Sequence, residues 1–162
     1  MNQFFAYSSF LIEFFLLYEM ILFFTGKSAK WFRRTQKYSL MIYLGGVLYH
    51  TILFREQKEQ FSYQLQLFWS YYHLPRMWNE ILLNILLFIP FGFLICDSVD
   101  RVKKRRVLFL ACLFSFLIES IQFIFRIGVF ELDDILHNTL GCGVGILFYQ
   151  LICRLRKLYR GK

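Results

Sequence analysis

Carboxylate and amide side chains recur inside the apolar runs of this chain. Glu119 and Gln122 are three residues apart, and Asp134 and Asn138 are four apart, so each pair shares one face of a helix. Ionisable groups inside a membrane are costly and need partners, so these pairs indicate a polar site between helices. A buried carboxyl group has the chemistry of a general acid or base. Glu119 and Asp134 are therefore the candidate catalytic residues, although the sequence alone does not decide whether a reaction occurs.

Five apolar segments are long enough to carry these side chains through a bilayer, whose core of about 30 Å takes a helix of roughly 17 to 25 residues. They cover residues 4–24, 38–54, 78–96, 107–125 and 135–153. Hydrocarbon leaves no partner for an unpaired backbone group, so helix is expected for each. The sequence therefore predicts an all-α integral membrane protein, a single domain over residues 1–162 with a bundle of about five transmembrane helices. The first span contains Glu13, so a helix lying at the membrane surface is the alternative there.

The composition of the chain excludes several soluble classes. Of its 162 residues 57% are apolar and 21% are aromatic, and the mean hydropathy is +0.46, whereas soluble domains are about 45–50% apolar. The net charge of +8 does not indicate nucleic-acid binding, because Lys and Arg lie in short clusters between the apolar runs. Fifteen of the 19 lie after the first span, after the third span or in the C-terminal tail. Because basic loops stay in the cytoplasm, the N-terminus is expected outside and the C-terminus in the cytoplasm.

With this topology, polar side chains of different spans fall at one depth, in the outer leaflet. The residues expected to converge there are Arg55, Glu80, Asn84, Glu119, Gln122, Arg126, Asp134, His137 and Asn138. All of them except Glu80 and His137 are candidate ligand-binding residues; Arg126 is included because it continues the face of Glu119 at i+7. One interpretation is structural, with amides bonding between helices and Glu119 neutralised by an Arg. The other, which we favour because the ionisable groups exceed what helix association needs, is a polar pocket for a lipid headgroup or another amphiphile.

Other patterns predict helix contact rather than chemistry. Gly141 and Gly145 form a GxxxG motif, which is expected to act within the chain, with contact between copies in a homo-oligomer as the alternative. Pro90 removes a helix hydrogen bond and is expected to kink the third span. The four Cys residues predict neither disulfides nor a metal site. The acids at the start of the fifth span and His137 would need a further metal ligand from another span, and no cofactor motif is present, so no metal and no cofactor are expected.

Three blocks of the sequence closely resemble the VanZ-like family. In chain order they are Asn84-Ile-Leu-Leu-Phe-Ile-Pro-Phe-Gly-Phe, Ser-Phe-Leu-Ile-Glu119-Ser-Ile-Gln122-Phe-Ile-Phe and Glu131-Leu-Asp-Asp134-Ile-Leu-His-Asn138-Thr-Leu-Gly141. The motif positions carried over to this chain are Asn84, Pro90, Gly92, Glu119, Gln122, Asp134, Asn138 and Gly141. The aromatic segment over residues 55–77, which is expected to lie in the outer headgroup region, departs from the family, since Gln64 stands where Asn is usual and Leu67 where Pro is usual.

The resemblance implies a multi-pass protein of the bacterial plasma membrane that lowers susceptibility to teicoplanin and related lipoglycopeptides more than to vancomycin. Teicoplanin carries an acyl tail, so an outer-leaflet pocket suits the antibiotic itself or a lipid-linked cell-wall precursor. We favour a non-catalytic protein that binds such an amphiphile. The alternative is an intramembrane enzyme that modifies an outer-leaflet lipid or cell-wall intermediate, with Glu119 or Asp134 as acid or base. The expected partners are membrane lipid and the lipoglycopeptide or its lipid-linked target, and transport is less favoured because five spans leave little room for alternating access.

Overall fold

The described part of the protein is mostly helical. The computed structural model describes residues 29–53, 55–98 and 103–160, so the first predicted span, over residues 4–24, lies outside the described residues. In chain order the elements are α1 (Ala29–Leu48), a π-helical segment (Tyr49–Leu53), β1 (Ser62–Gln64), α2 (Trp69–Tyr72), α3 (Leu74–Ser98), α4 (Lys104–Ile124), β2 (Val129–Glu131) and α5 (Leu132–Arg160). The prediction of a helical protein is confirmed, and the short strands were not foreseen.

Three helices are long and apolar enough to cross a membrane. They are Leu74–Ser98, Lys104–Ile124 and Leu132–Leu155, and they cover the third, fourth and fifth predicted spans. The second predicted span, 38–54, falls on α1 and the π-helical segment, which do not meet that standard of length and hydropathy. Three membrane-length helices are therefore established within residues 29–53, 55–98 and 103–160, while the count of five stays a prediction.

The most extensive helix contact, between α3 and α5, depends on three glycines. A Cβ atom added at Gly141 would collide with the backbone carbonyl of Ile85, and one at Gly145 would collide with that of Ile89. From the other side, a Cβ atom at Gly92 would collide with the carbonyl of Cys142. Small residues let two helix backbones approach closely. The GxxxG motif of α5 therefore lies against α3 of the same chain.

Aromatic side chains pack between α3 and α4 at the level of that contact. Phe91 of α3 stacks on Phe114 of α4, with ring centroids 5.7 Å apart, and Phe88 packs against both. α1 covers another side of α3, where the buried Tyr43 hydroxyl donates a hydrogen bond to the carbonyl of Leu87. α3 continues through Pro90, and the kink expected at this residue stays a prediction.

The segment between the π-helical turn and α2 is tied to the loop between α4 and α5. β1 and β2 pair in parallel, with Ser62 opposite Val129 and Gln64 opposite Glu131. The amide of Lys58 donates to the carbonyl of Arg126 at 2.6 Å. The aromatic segment therefore has a defined fold against the bundle, although its place in a headgroup region remains a prediction.

Candidate functional site

The sequence-predicted polar residues gather at one end of the bundle. We call this the polar end: the first turns of α3, the last turns of α4, β2 and the first turns of α5, together with Arg55. Because α3 and α5 start there and α4 finishes there, three helices contribute side chains from different parts of the sequence. The parallel strands β1 and β2 close this end and hold the loops in register.

Asp133 fastens the short helix α2 to the start of α5. Its Oδ1 accepts a hydrogen bond from the backbone N–H of Phe68 at 2.6 Å. Its Oδ2 accepts two more, from the N–H of Ser70 at 2.8 Å and the Oγ of Ser70 at 2.6 Å. Phe68 has a left-handed backbone, with φ of 64°, directly before α2. Asp133 and Ser70 are each only 2% exposed, so this carboxylate acts as a buried cap for α2.

His137 makes a second contact with the same short helix. Its Nε2 lies 3.1 Å from the hydroxyl of Tyr71, and the two rings are 5.6 Å apart. His137 is fully buried and lies one turn after Asp133 on α5. Asp133 and His137 therefore hold α2 from two successive turns of one helix.

Asn138 lies in the layer directly beneath Asp134 and Glu119. Asn138 follows Asp134 by one turn of α5. Its Nδ2 donates a hydrogen bond to the Oγ of Ser115 at 2.8 Å, and Ser115 precedes Glu119 by one turn of α4. The side chain is 4% exposed, and its Oδ1 accepts no hydrogen bond from the described residues. A buried amide oxygen without a donor is uncommon in proteins and calls for an explanation.

Four carboxylates interact electrostatically above this amide. We call Glu80, Glu119, Glu131 and Asp134 the acidic cluster. Glu119 is buried, and its Oε2 accepts the backbone N–H of Glu131 at 3.2 Å. The guanidinium of Arg55 attracts three members, Glu119, Glu131 and Asp134. Arg55, Glu80, Glu119 and Asp134, which were expected to converge, thus belong to one network of electrostatic neighbours.

Glu131 shows how the like charges act on one another. It lies in β2, outside the membrane-length helices. Burial raises the pKa of its carboxyl group above the usual range, and the neighbouring carboxylates of Glu80 and Asp133 raise that pKa further. The cations of Lys58 and Arg55 act in the opposite direction without cancelling the effect. A nearby positive charge would therefore stabilise the ionised form of Glu131.

Gln122 links α4 to the π-helical segment inside the polar end. The Nε2 of Gln122 donates a hydrogen bond to the carbonyl of Thr51 at 3.0 Å. Thr51 lies in the π-helical segment at the end of α1, where the last carbonyls of a helix have no partner within the helix. Gly128 faces the same side chain: a Cβ atom added there would lie 2.7 Å from the Oε1 of Gln122 and 3.1 Å from an Nη of Arg55. Only a residue without a side chain leaves room for both groups.

Arg126 does not lie on the helical face on which the sequence placed it. α4 ends at Ile124, and Arg126 has a left-handed backbone with φ of 55°, so the expectation that Arg126 continues the helical face of Glu119 is wrong. Its exposed guanidinium lies 4.8 Å from the ring centre of Phe61 instead. Asn84 precedes Ile85, whose carbonyl faces Gly141, so Asn84 lies close to the depth of Asn138, which precedes Gly141 on α5.

Sequence reasoning missed several partners at the polar end. Ser115 precedes Glu119 by four residues, so helical spacing alone was sufficient to place it on the same face. Glu131 stands in the same acidic run as Asp134 and was detectable as a further carboxylate. The cap of α2 by Asp133 joins residues 63 apart along the chain, and no local pattern predicts that.

Within residues 29–53, 55–98 and 103–160, no group of three or more His, Cys, Asp or Glu side chains is placed so that it could hold a metal ion. What the arrangement offers is negative charge and hydrogen-bond acceptors. Glu119 and Asp134 also lie close enough to affect each other electrostatically, which two carboxyl groups sharing acid and base roles require.

These features define a helical protein with membrane-length helices and an acidic, amide-bearing end. The chain belongs to the VanZ/LLP1 family, whose model matches residues 10–153. The resemblance seen in the three sequence blocks is thereby confirmed.

A curated relative supports the same assignment. The chain is 33% identical over 73 residues to Protein VanZ of Enterococcus faecium. The matched part is 45% of this chain and 45% of that relative, so it spans less than half the length of either. No solved structure matches this chain.

Proposed function

We propose that this protein lowers bacterial susceptibility to teicoplanin and related lipoglycopeptides by binding an amphiphile at the polar end. Membership of the VanZ/LLP1 family supports the resistance activity. The observation that carries the binding role is the buried Glu119, which lies among three further carboxylates and above the amide of Asn138. Intramembrane ionisable residues at such density mark binding sites and pathways more often than packing.

The position of the carboxylates supports an amphiphilic ligand. They lie at the end of the membrane-length helices rather than at mid-span, where a polar headgroup meets apolar chains. Exposed aromatic side chains of the adjoining segment, including Tyr63 and Tyr72, belong to the residue types that settle at a membrane interface. A ligand with a polar head and an acyl tail fits both surroundings.

Glu119→Gln is expected to abolish most of the protection against teicoplanin. The substitution keeps the shape of the side chain and removes its charge, so a carboxylate that holds a ligand loses about 1.5–3 kcal/mol of charge-assisted hydrogen bonding. The measurement compares wild type and variant at matched membrane levels in a susceptible Gram-positive host, with teicoplanin and vancomycin tested in parallel.

Ser120→Ala is the matched control, because Ser120 follows Glu119 directly and its hydroxyl bonds to the carbonyl of Phe116 in its own helix. We expect this variant to protect like wild type. Full protection by Glu119→Gln would contradict the binding role, and no protection by wild type would contradict the proposed activity altogether.

A catalytic function is the second candidate, favoured by the electrostatic proximity of Glu119 and Asp134. In this alternative the protein modifies an outer-leaflet lipid or a cell-wall intermediate, and one carboxyl group acts as acid or base. Lipid profiling of the same strains separates the two candidates. A new lipid species that requires Glu119 supports the enzyme, whereas unchanged lipids together with lost protection support binding.

The proposed topology has five spans, with the N-terminus outside, the C-terminus in the cytoplasm and the polar end in the outer leaflet of the bacterial plasma membrane. The basic runs after the first and third spans support it. Alkaline phosphatase fused after Gln66 is expected to be active, since that position precedes α2 at the polar end, and the same enzyme fused after Lys162 is expected to be inactive. The reverse pattern would invert the topology, and activity of both fusions would exclude an odd number of spans between them.

A further inference from the structure

The polar end carries more acidic than basic side chains. Its acidic cluster has four carboxyl groups; Arg55 acts on Glu119, Glu131 and Asp134, and Lys58 acts on Glu131. Arg55 is shared among three carboxylates, and the side chains of both cations are exposed to solvent. These carboxyl groups repel one another when they are ionised, so a further cation among them is favoured.

The side-chain amide of Asn138, which lies beneath the acidic cluster, also favours a cationic hydrogen-bond donor. The Nδ2 of Asn138 is occupied by Ser115, whereas its buried Oδ1 accepts no hydrogen bond from the described residues. A carbonyl oxygen pairs only with a donor, and the carboxylates in the layer above it are acceptors when ionised. A group with several N–H donors and a positive charge would satisfy the amide oxygen and the carboxylates together.

We propose that the polar end recognises the primary ammonium group of an amphiphile, held by Glu119 and Asp134 with the Oδ1 of Asn138 beneath. This inference rests on the proposed function and names the chemistry of its ligand. A phosphate group has no donors and is repelled by the carboxylates. A divalent cation needs several oxygen ligands in one shell, and the described residues offer no such group. The ammonium of a lipid headgroup and the amine of a lipoglycopeptide share the required chemistry.

Native mass spectrometry of the purified full chain tests the proposal with three lipid probes. They are phosphatidylethanolamine, its N-acetylated form and phosphatidylglycerol, which share acyl chains and a phosphate but differ in the ammonium group. We expect the ethanolamine lipid to bind at least about tenfold more tightly than the other two, the scale of one charge-assisted hydrogen bond. Equal binding of the three lipids, or tighter binding of phosphatidylglycerol, would overturn the proposal. So would a preference that chelation with EDTA removes, since a metal ion would then be the mediator.

Substitutions locate the preference. Glu119→Gln and Asp134→Asn are each expected to reduce it to near unity, and Asp134 is partly exposed, so that variant should fold even if Glu119→Gln does not. Ser120→Ala is expected to keep it, because its hydroxyl bonds within its own helix. A preference that survives both carboxylate substitutions would place the amine elsewhere and overturn the proposal.

Competition distinguishes the two sources of the amine. Displacement of the bound lipid by teicoplanin, but not by N-acetylated teicoplanin, would assign the same site to the antibiotic. A lipid preference that teicoplanin does not change would assign the site to lipid alone. Both outcomes support recognition of an ammonium group. The proposed function can fail independently of this inference. If the protein gives no protection in cells, the proposed function is overturned and the lipid preference still stands. If protection requires Glu119 but the protein shows no preference for an amine, only this inference is overturned.

Discussion

Gly141→Ala is expected to force α3 and α5 apart and to lower the melting temperature of the protein by several degrees. The added methyl group would overlap the backbone carbonyl of Ile85, which cannot rotate away as the end of a side chain can. Overpacking of this kind costs about 1–3 kcal/mol or more. For a chain of this size each kcal/mol shifts the melting temperature by roughly 2–4 °C. Thermal unfolding in detergent, followed by tryptophan fluorescence, measures the change.

Gly143→Ala supplies the matched control on the same helix. A Cβ atom there would meet only a methyl group of Leu108, at an ordinary 3.8 Å. Because Ala is a better helix former than Gly by about 1 kcal/mol, this variant is expected to be as stable as wild type or slightly more so. A similar loss of stability in both variants would mean that the close contact with α3 is not the cause of the destabilisation.

The helices that carry the site were predictable because a membrane interior requires an apolar segment to be helical. Hydrocarbon forces a continuous apolar segment to satisfy its own backbone, so α3, α4 and α5 follow from residue type and length alone. Their ends were less predictable. α5 starts at Leu132, three residues before the apolar run, since Asp133 and Asp134 in its first turn suit the positive end of a helix.

The polar cluster was foreseeable where helical spacing connects its members. Glu119 and Asp134 each lie on a face set by the 3.6-residue period, and opposite chain directions place them at the same end. That reasoning failed at Arg126 because it assumed that α4 continues through this residue. The left-handed backbone at Arg126 turns the chain toward β2 instead, a feature that no hydrophobic pattern encodes.

The small sheet and the capped helix α2 were not predictable from the sequence. Three-residue strands give no useful alternation, and the pairing of Tyr63 with Phe130 joins distant parts of the chain. The residues from 55 to 77 were expected to lie in the outer headgroup region, since aromatic composition indicates a preference for an interface, but it does not indicate a local conformation. Their local fold depends on long-range hydrogen bonds to the loop between α4 and α5 and to the start of α5.

Asp133→Ala is expected to release α2 from the bundle. The carboxylate accepts three hydrogen bonds, and its removal leaves the amides of Phe68 and Ser70 without a partner. Each buried donor left unpaired costs about 1–3 kcal/mol, and a four-residue helix has little stability of its own. Hydrogen–deuterium exchange over residues 66–73 should therefore accelerate by at least about tenfold, since a tenfold change corresponds to roughly 1.4 kcal/mol.

A graded series tests whether the cap itself is responsible. Ser70→Ala removes only the hydroxyl bond and leaves both backbone amides paired, so its exchange should rise least. Asp133→Asn keeps one acceptor oxygen but turns a donor toward an amide, so it should fall between Ser70→Ala and Asp133→Ala. Unchanged exchange in Asp133→Ala would show that the contact between His137 and Tyr71 suffices to hold α2. Because α2 leads into the turn of α3 that carries Glu80, a released α2 should also weaken ligand binding while Glu119 and Asp134 remain in place.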